Sequence, residues 1–338
     1  MTKGRPPSLG MGLNRERFEG GIFMSRFAKI SSIGCDYKEI DPSLDMREAV
    51  EAMKEHLRGK LSRVLPDRPD LIVLPEVCDM PRSFTGERLK AFYACRGDSI
   101  LTMMRETAKK HSCYIAYPRL RQVEDGTWRN SVELIGRDGE IVGIYNKNHP
   151  VDIEISVDGV LGGKDAPVLQ CDFGTVAFVI CFDLNFDRLR EMYVKAKPDL
   201  LVFVSMYHGG LMQQYWAYSC GSFFVSAISQ SYPSQLISPL GQVLRTNTNY
   251  FDSFTEKVNL DYVLCHLNGH WEKLTAMKEK YGEQVRIVEP GYVGAVQISS
   301  ESESLTVQQL VQEYELETFS DYLKRSLEFQ CLPGNIEP

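Results

Sequence analysis

In the stretch TVAFVICFDLNF, residues 175–186, a run of apolar, β-favouring residues ends on the thiol of Cys181, and the polar Asp183-Leu184-Asn185 follows at once. In open α/β folds ligands bind beyond the carboxyl ends of strands, so a thiol at that turn faces a pocket. The amides and dipole of a following helix would lower its pKa and raise the thiolate fraction, and a thiolate is a strong nucleophile near neutral pH. Two other groups occupy equivalent places. Glu76 closes the apolar LIVLPE, where burial raises a carboxyl pKa towards the range useful for acid–base work. Lys147 stands at the end of IVGIYNKN in the same manner. Singly, each has an ordinary explanation. With 9 cysteines in the chain, most thiols are small core hydrophobes, and charges at strand ends are commonly just solvated.

The elements that must position these groups alternate from Phe27 onward. FAKISSIGC reads as a first strand. DMREAVEAMKEHLRGKLSRV carries Met46, Val50, Met53, Leu57, Leu61 and Val64 near helical spacing. DLIVLPE is a short, continuously apolar strand of the kind buried on both faces. SILTMMRETAKKHS predicts a helix and CYIAYPRL a strand. Two alternating runs then flank Asp138-Gly139, a hairpin signal. A loop over 150–167 leads to a second hairpin around Asp172-Phe173-Gly174. A helix, a strand, a helix (MQQYWAYSCGS), a strand and a hairpin (SQLISPLGQVLRT) follow, and FTEKVNLDYV is the last expected strand of the main sheets. Strands and hairpins mixed with helices predict an α/β chain of layered, mixed sheets.

The expected division is a flexible leader over 1–26, one domain over 27–265 and a helical C-terminal extension over 266–338. Met24 could serve as the functional start. In the extension, Thr306 and Gln309 form a capping box. Val307, Leu310, Val311, Tyr314, Tyr322 and Leu323 can share one helix face, serving either packing on the domain or a subunit contact.

Taken together, LIVLPE, WRNSVELIGRDGEIVGIYNKNHP and FVICFDLNFDRLRE resemble, in order and spacing, the three signature blocks of the nitrilase superfamily, the carbon–nitrogen hydrolases. The resemblance covers about Phe27 to Asp261. It implies a four-layer αββα sandwich with two mixed β-sheets, and a catalytic triad of Glu76, Lys147 and Cys181. It further implies attack by Cys181 on a carbonyl, an oxyanion held by Lys147 and the backbone N–H of Phe182, and proton transfer by Glu76. Asn130 sits where a family asparagine precedes the strand leading to the lysine. A supporting glutamate is matched nearest by Glu154, with Asp158 as the alternative. The resemblance implies no cofactor, and no metal-ligand cluster is visible in the sequence.

Departures fall around the pocket. Asn185 stands where the amidase branch has arginine, Asp187 where it has proline, and Met206, Tyr207 and His208 replace a small-residue and tryptophan segment. Asn185, Met206, Tyr207 and His208 are therefore the expected pocket residues, with His149 a further candidate. Cys78 and Cys220 read as packing. The implied substrate is a small amide or N-carbamoyl compound. A nitrile is the alternative, although nitrilases proper usually carry tryptophan where Phe182 stands. A catalytically silent binding or assembly protein on the same scaffold is the reading from another class. A thiol redox protein lacks a closely spaced resolving cysteine.

Composition sets outer bounds. A 338-residue chain with 43% hydrophobic content has ample core. The formal net charge of −7, with no basic stripe, argues against nucleic acid. No apolar run is long enough to span a bilayer. The N-terminus lacks the apolar core of a secretory signal and contains Glu16 and Glu19, unlike an import peptide. The scattered, odd-numbered cysteines suit a reducing, cytoplasmic setting. Family members usually dimerise near the nucleophile and assemble further through the tail, which implies a homodimer or larger homo-oligomer.

Overall fold

The computed structural model describes residues 26–34, 36–229 and 232–337. The expected leader and the Met24 start lie outside these residues, Arg26 apart.

Among the described residues, fifteen strands form three sheets. The first contains β1 (Phe27–Ile33), β2 (Leu71–Val73), β3 (Tyr114–Gln122), β4 (Trp128–Ile135) and β5 (Ile141–Asn146). The second contains β6 (Val168–Cys171), β7 (Gly174–Ile180), β8 (Leu200–Ser205), β9 (Phe223–Ile228), β10 (Gln235–Ile237) and β11 (Val243–Thr246). β12 (Ser253–Asn259) returns to the first sheet, whose order is β12-β1-β2-β3-β4-β5; the second runs β11-β10-β9-β8-β7-β6. Both are mixed. β1, β2 and β3 are mutually parallel, as are β7, β8 and β9, while hairpins and β12 add antiparallel neighbours. The Asp138-Gly139 turn closes the β4–β5 hairpin, with Gly139 at φ +84°, the left-handed region that glycine enters without a Cβ penalty.

Helices α1 (Met46–Val64), α2 (Gly86–Arg96) and α3 (Ser99–His111) cover the outer face of the first sheet. α1 starts where Asp45 and Glu48 form a reciprocal capping box, and it buries Met53, Leu57, Leu61 and Val64. β2 shows why its sequence is apolar throughout. Leu71 and Val73 face the inter-sheet core while Ile72 and Leu74 face the helices, so both sides of the pleat are covered. The short α4 (Asp152–Ser156) lies in the long loop, and α5 (Asp187–Ala196) and α6 (Leu211–Cys220) pack on the second sheet through Leu189, Tyr193, Trp216 and Ala217. The result is the expected αββα sandwich. The parallel strands β2, β7 and β8 deliver their carboxyl ends, and the turns that follow them, to one region.

The C-terminal segment differs from the helical expectation. β13 (Tyr262–His266), β14 (Val285–Val288) and β15 (Ala295–Ser300) form a third sheet, ordered β13-β15-β14, beside α7 (Trp271–Tyr281), α8 (Val307–Glu313) and α9 (Phe319–Gln330). Two physical signals account for this. Val285/Ile287 and Val296/Ile298 alternate with period two, which is a strand pattern. FTEKVNLDYV breaks at Leu260-Asp261, so its ends enter different sheets. The expected single tail helix also divides. Glu315 takes φ +46° between α8 and α9, and the Thr318 side chain accepts from the Asp321 N–H to begin α9. The Thr306–Gln309 capping box forms as expected.

Candidate active site

Glu76 follows β2 and is 1% exposed. Its Oε1 accepts from Lys147 Nζ at 2.9 Å and from Asn130 Nδ2 at 2.8 Å. Its Oε2 is buried with no hydrogen-bond partner among the described residues. The main chain here is pinned by the Tyr37 hydroxyl, which donates to the Glu76 carbonyl at 3.1 Å, and Val77 next to it is held at φ +41°. For a β-branched residue that is a strained conformation that surrounding structure must enforce. Burial raises the Glu76 carboxyl above its ordinary value; Lys147 opposes the shift without cancelling it.

Lys147 leaves the end of β5 and is 2% exposed. Its Nζ also donates to Glu154 Oε2 at 2.7 Å. Burial opposes its charge, but Glu76 and Glu154 win, and its pKa stands above the ordinary lysine value. The ammonium is therefore permanent. Its backbone is tied on both sides, donating to Asn130 O and accepting from Gly163 N, each at 2.8 Å.

Glu154 sits on α4. Its Oε2 also caps Val151 N at 2.8 Å, and its Oε1 accepts from Asn130 Nδ2 at 2.9 Å. Asn130 thus bridges the two carboxylates that flank the ammonium. Asp158, the alternative supporting acid, makes no such contact with Lys147. Burial and Glu154 push its carboxyl up. Of the two loop acids, the geometry brings Glu154 to the lysine.

Cys181 begins a five-residue 3-10 turn directly after β7. It is held at φ +47°, the left-handed conformation that sharply re-aims a side chain at a strand end. Its thiol lies among the other groups. Burial pushes its pKa up to about 12, Glu76 adds to the shift, and Lys147, the Met206 main chain and the Ser205 hydroxyl act against it. The lowered thiol pKa expected from a helix N-terminus is not found. A 3-10 turn of five residues carries little of an α-helix dipole, and desolvation of the thiolate outweighs it.

Sequence reasoning missed the clamp behind this turn. Asp183 is fully buried. Its Oδ2 accepts from the Tyr145 hydroxyl at 2.7 Å and from Ile180 N at 3.2 Å. Its Oδ1 faces the His149 backbone N–H at 2.8 Å and the His149 ring Nδ1 at 2.9 Å. The His149 ring stacks on Phe186 at 3.7 Å between centroids, and Trp216 Nε1 donates to Leu184 O at 3.0 Å. The acid two residues after Cys181 was the visible signal. Its partners are distant in sequence and gave none. His149 therefore braces the Cys181 turn.

The expected pocket residues separate into two groups. Tyr207 and Asn185 meet, Asn185 Nδ2 donating to the Tyr207 hydroxyl at 3.1 Å. Burial pushes Tyr207 up to about 12, and the charges of Cys181 and Glu76 add to this. The Met206 backbone lies against the sulfur. The Phe182 side chain is 38% exposed and meets Phe186 edge-on at 5.2 Å. His208 stands apart. Its Nδ1 accepts from Gly210 N at 3.1 Å, and burial alone lowers its pKa, with no triad charge contributing.

A carboxylate with one free oxygen, a permanent ammonium and a neutral thiol are the components for nucleophilic attack with proton transfer and anion stabilisation. The family described as carbon-nitrogen hydrolase matches residues 29–253. Among curated proteins, the chain is similar to omega-amidase NIT2 of Danio rerio, 25% identical over 153 residues, covering 43% of this chain and 54% of that protein. It is also similar to beta-ureidopropionase of Arabidopsis thaliana, 33% identical over 175 residues, covering 48% and 43%. The chain spans about half the length of the curated relatives it matches. Among solved structures, an amidase from Nesterenkonia sp. superposes with a TM-score of 0.57 at 15% identity, covering 75% of this chain and 97% of that one. Saccharomyces cerevisiae Nit3, a member of branch 10 of the nitrilase superfamily, gives 0.55 at 13%, covering 78% and 97%. These structural likenesses establish the fold.

Proposed function

Because the chain belongs to the carbon–nitrogen hydrolase family, we propose that it hydrolyses the non-peptide C–N bond of a small amide or N-carbamoyl compound through a Cys181 thioester. The observation that carries this reading is the buried Glu76–Lys147 pair beside Cys181, with Glu76 Oε2 left without a partner. That oxygen is the proton acceptor. With the thiol neutral at rest, Glu76 takes the Cys181 proton as sulfur bonds to the carbonyl carbon. The carbonyl oxygen becomes an oxyanion, received by the Lys147 ammonium and the Phe182 N–H. Glu76 then gives its proton to the leaving nitrogen and the C–N bond breaks. Water attacks the thioester, Glu76 takes the water proton, and sulfur leaves to be reprotonated as thiol. Loss of one such oxyanion donor costs about 10²–10³ in rate. Glu154 holds the ammonium in place from its far side, and Asn130 keeps both carboxylates oriented. Tyr207 and Asn185 form one wall of the substrate pocket, with Met206 beside them.

The test is ammonia release from a panel of amides, carbamoyl amino acids and nitriles, paired with intact mass. A thioester adduct is expected on the unaltered protein and not on Cys181→Ala. Full turnover by Cys181→Ala would end the covalent mechanism, and turnover confined to nitriles would move the substrate class.

The eight described cysteines are free thiols, which supports a reducing, cytoplasmic setting. No helix among the described residues is long and apolar enough to cross a membrane. The proposed macromolecular partner is a second copy of this chain. Support comes from apolar side chains left exposed on α9, where Leu323 is 50%, Leu327 62% and Phe329 63% exposed. Sedimentation equilibrium is expected to give a dimer or larger species, and a monomer at micromolar concentration would overturn this.

A further inference from the structure

Away from the triad, a cleft of about 440 Å³ lies between α1 and the loop after β1. Its lining includes Lys38, Glu55, His56, Gly59, Lys60 and Arg63. On α1 these recur at helical spacing, so they form a helix face flanking the buried stripe of Met53, Leu57 and Leu61.

The charges do not balance. Lys60 and Arg63 both pair with Asp252, Arg63 at 2.7 Å, so one carboxylate faces two cations. Glu55 reaches towards Arg58 at 3.6 Å. Lys38 adds a further cation, and no ion pair involves it among the described residues. His56 Nε2 is buried with no hydrogen-bond partner among the described residues. Burial, then Lys60, Lys38 and Arg63, push the His56 pKa down to about 4, with Asp252 opposing. A concave surface with surplus positive charge, in a chain whose formal net charge is −7, attracts anions locally.

Two structural features fit a built site. Gly59 interrupts the interior of α1, where glycine is the poorest helix former after proline. A Cβ there would meet nothing within 4 Å, so no close contact requires glycine, and its missing side chain leaves the floor open. The Lys38 wall is fixed as well. The Lys38 carbonyl accepts from Arg82 N at 3.0 Å, and neighbouring Tyr37 is anchored to Glu76.

We propose that this cleft binds a small molecule through an oxyanion, either phosphate or carboxylate, held by Lys38, Lys60 and Arg63 with His56 Nε2 as a further hydrogen-bonding partner. The bound anion offsets the cationic repulsion that adds to burial in disfavouring the charged His56 ring.

The experiment is an NMR titration of the His56 ring in the full chain. Inorganic phosphate and, separately, succinate are added at constant ionic strength set by sodium chloride. The expected result is a saturable response to at least one of them, with the His56 pKa raised by about one unit or more, a tenfold gain in proton affinity. A response to phosphate alone assigns a phosphate head group, and one to succinate alone a carboxylate. Lys38→Gln and Arg63→Gln are each expected to weaken binding about fivefold or more, an ion-contact loss of ordinary size. Gly59→Leu is expected to block binding while leaving the alkylation rate of Cys181 unchanged. Circular dichroism verifies folding of all three variants, and the two glutamine variants decide the matter if Gly59→Leu does not fold. A His56 response no greater than that to chloride, or undiminished binding by folded variants, would overturn the site.

Discussion

Glu76 is costly to the fold as well as central to the site. Its carboxyl is fully buried, and burial raises its pKa. A carboxyl whose pKa is higher in the folded than in the unfolded chain binds its proton more tightly when folded. Stability therefore falls as pH rises through the window between the unfolded value and the raised one, and the penalty is fully present above that window. Glu76→Gln keeps the shape and the contact to Lys147 without the charge. The variant is expected to melt higher than the unaltered protein at pH 7, with the gap closing as pH falls towards the ordinary carboxylate range. Its rate of the proposed amide hydrolysis is expected to drop about 10²–10⁴-fold, the usual contribution of a general acid–base group. Calorimetry at several pH values checks the first claim and ammonia release the second. A lower melting temperature at pH 7 would mean that the Lys147 attraction outweighs burial. The three residues proposed for the chemistry stand out in sequence because each lies at or near the end of an apolar run. The state of the sulfur was not. Whether a thiol is lowered by helix amides or raised by burial depends on what packs round it, and no local pattern around Cys181 records that.

At the scale of elements, the site depends on backbone approach as much as on side chains. Gly163, in the loop after α4, donates its N–H to the Lys147 carbonyl. A Cβ at Gly163 would lie 2.5 Å from the Asn146 carbonyl oxygen. That neighbour is main chain and cannot rotate away, so Gly163→Ala must push the loop or the end of β5 outward. Movement of the β5 end would carry Lys147 away from Glu76. A displacement near 1 Å from a substitution outside the chemistry can cost about 10²-fold. Gly163→Ala is thus expected to lower kcat by about tenfold to a hundredfold with a near-normal circular dichroism spectrum. Unchanged kcat would show that the loop can yield without moving the lysine. Most strands and helices of the sandwich were readable from periodicity, β2 from its unbroken apolar run and α1 from its spacing of Met53, Leu57 and Leu61; α2, whose buried residues are Phe92, Tyr93 and Arg96, shows no such stripe and was missed. The long loop read as structureless, because the single turn of α4 that presents Glu154 is too short to show a period. The third sheet was likewise overlooked: its alternation is present, but over segments as short as the four residues Val285–Val288.

Across the whole molecule, the C-terminal sheet and its helices have a core of their own. Cys265, Leu274, Met277, Val285, Val296, Ile298, Val307 and Leu310 form a cluster separate from those of the sandwich. The family match ends at residue 253, before this segment begins. It is nonetheless tied to the second sheet. Tyr262 donates to Gly221 O at 2.7 Å and meets Phe223 edge-on, and Leu260 is buried in the sandwich core. None of its described side chains reaches Glu76, Lys147 or Cys181 through the hydrogen bonds of the site. Damage to this core should therefore be felt as lost stability and not as lost site geometry. Ile298, fully buried at the centre of β15, is the position to test. Ile298→Ala is expected to destabilise by about 2–5 kcal/mol, the transfer and cavity cost of such truncations. The alkylation rate of Cys181 below the melting transition should stay within about twofold, because sites more than about 7–10 Å apart with no shared partners behave additively. Denaturant titration gives the first quantity and mass-resolved iodoacetamide kinetics the second. If Cys181 instead becomes much more reactive while the chain is still folded, the tail restrains the nucleophile turn through α6, whose Trp216 holds Leu184, and the two cores act as one.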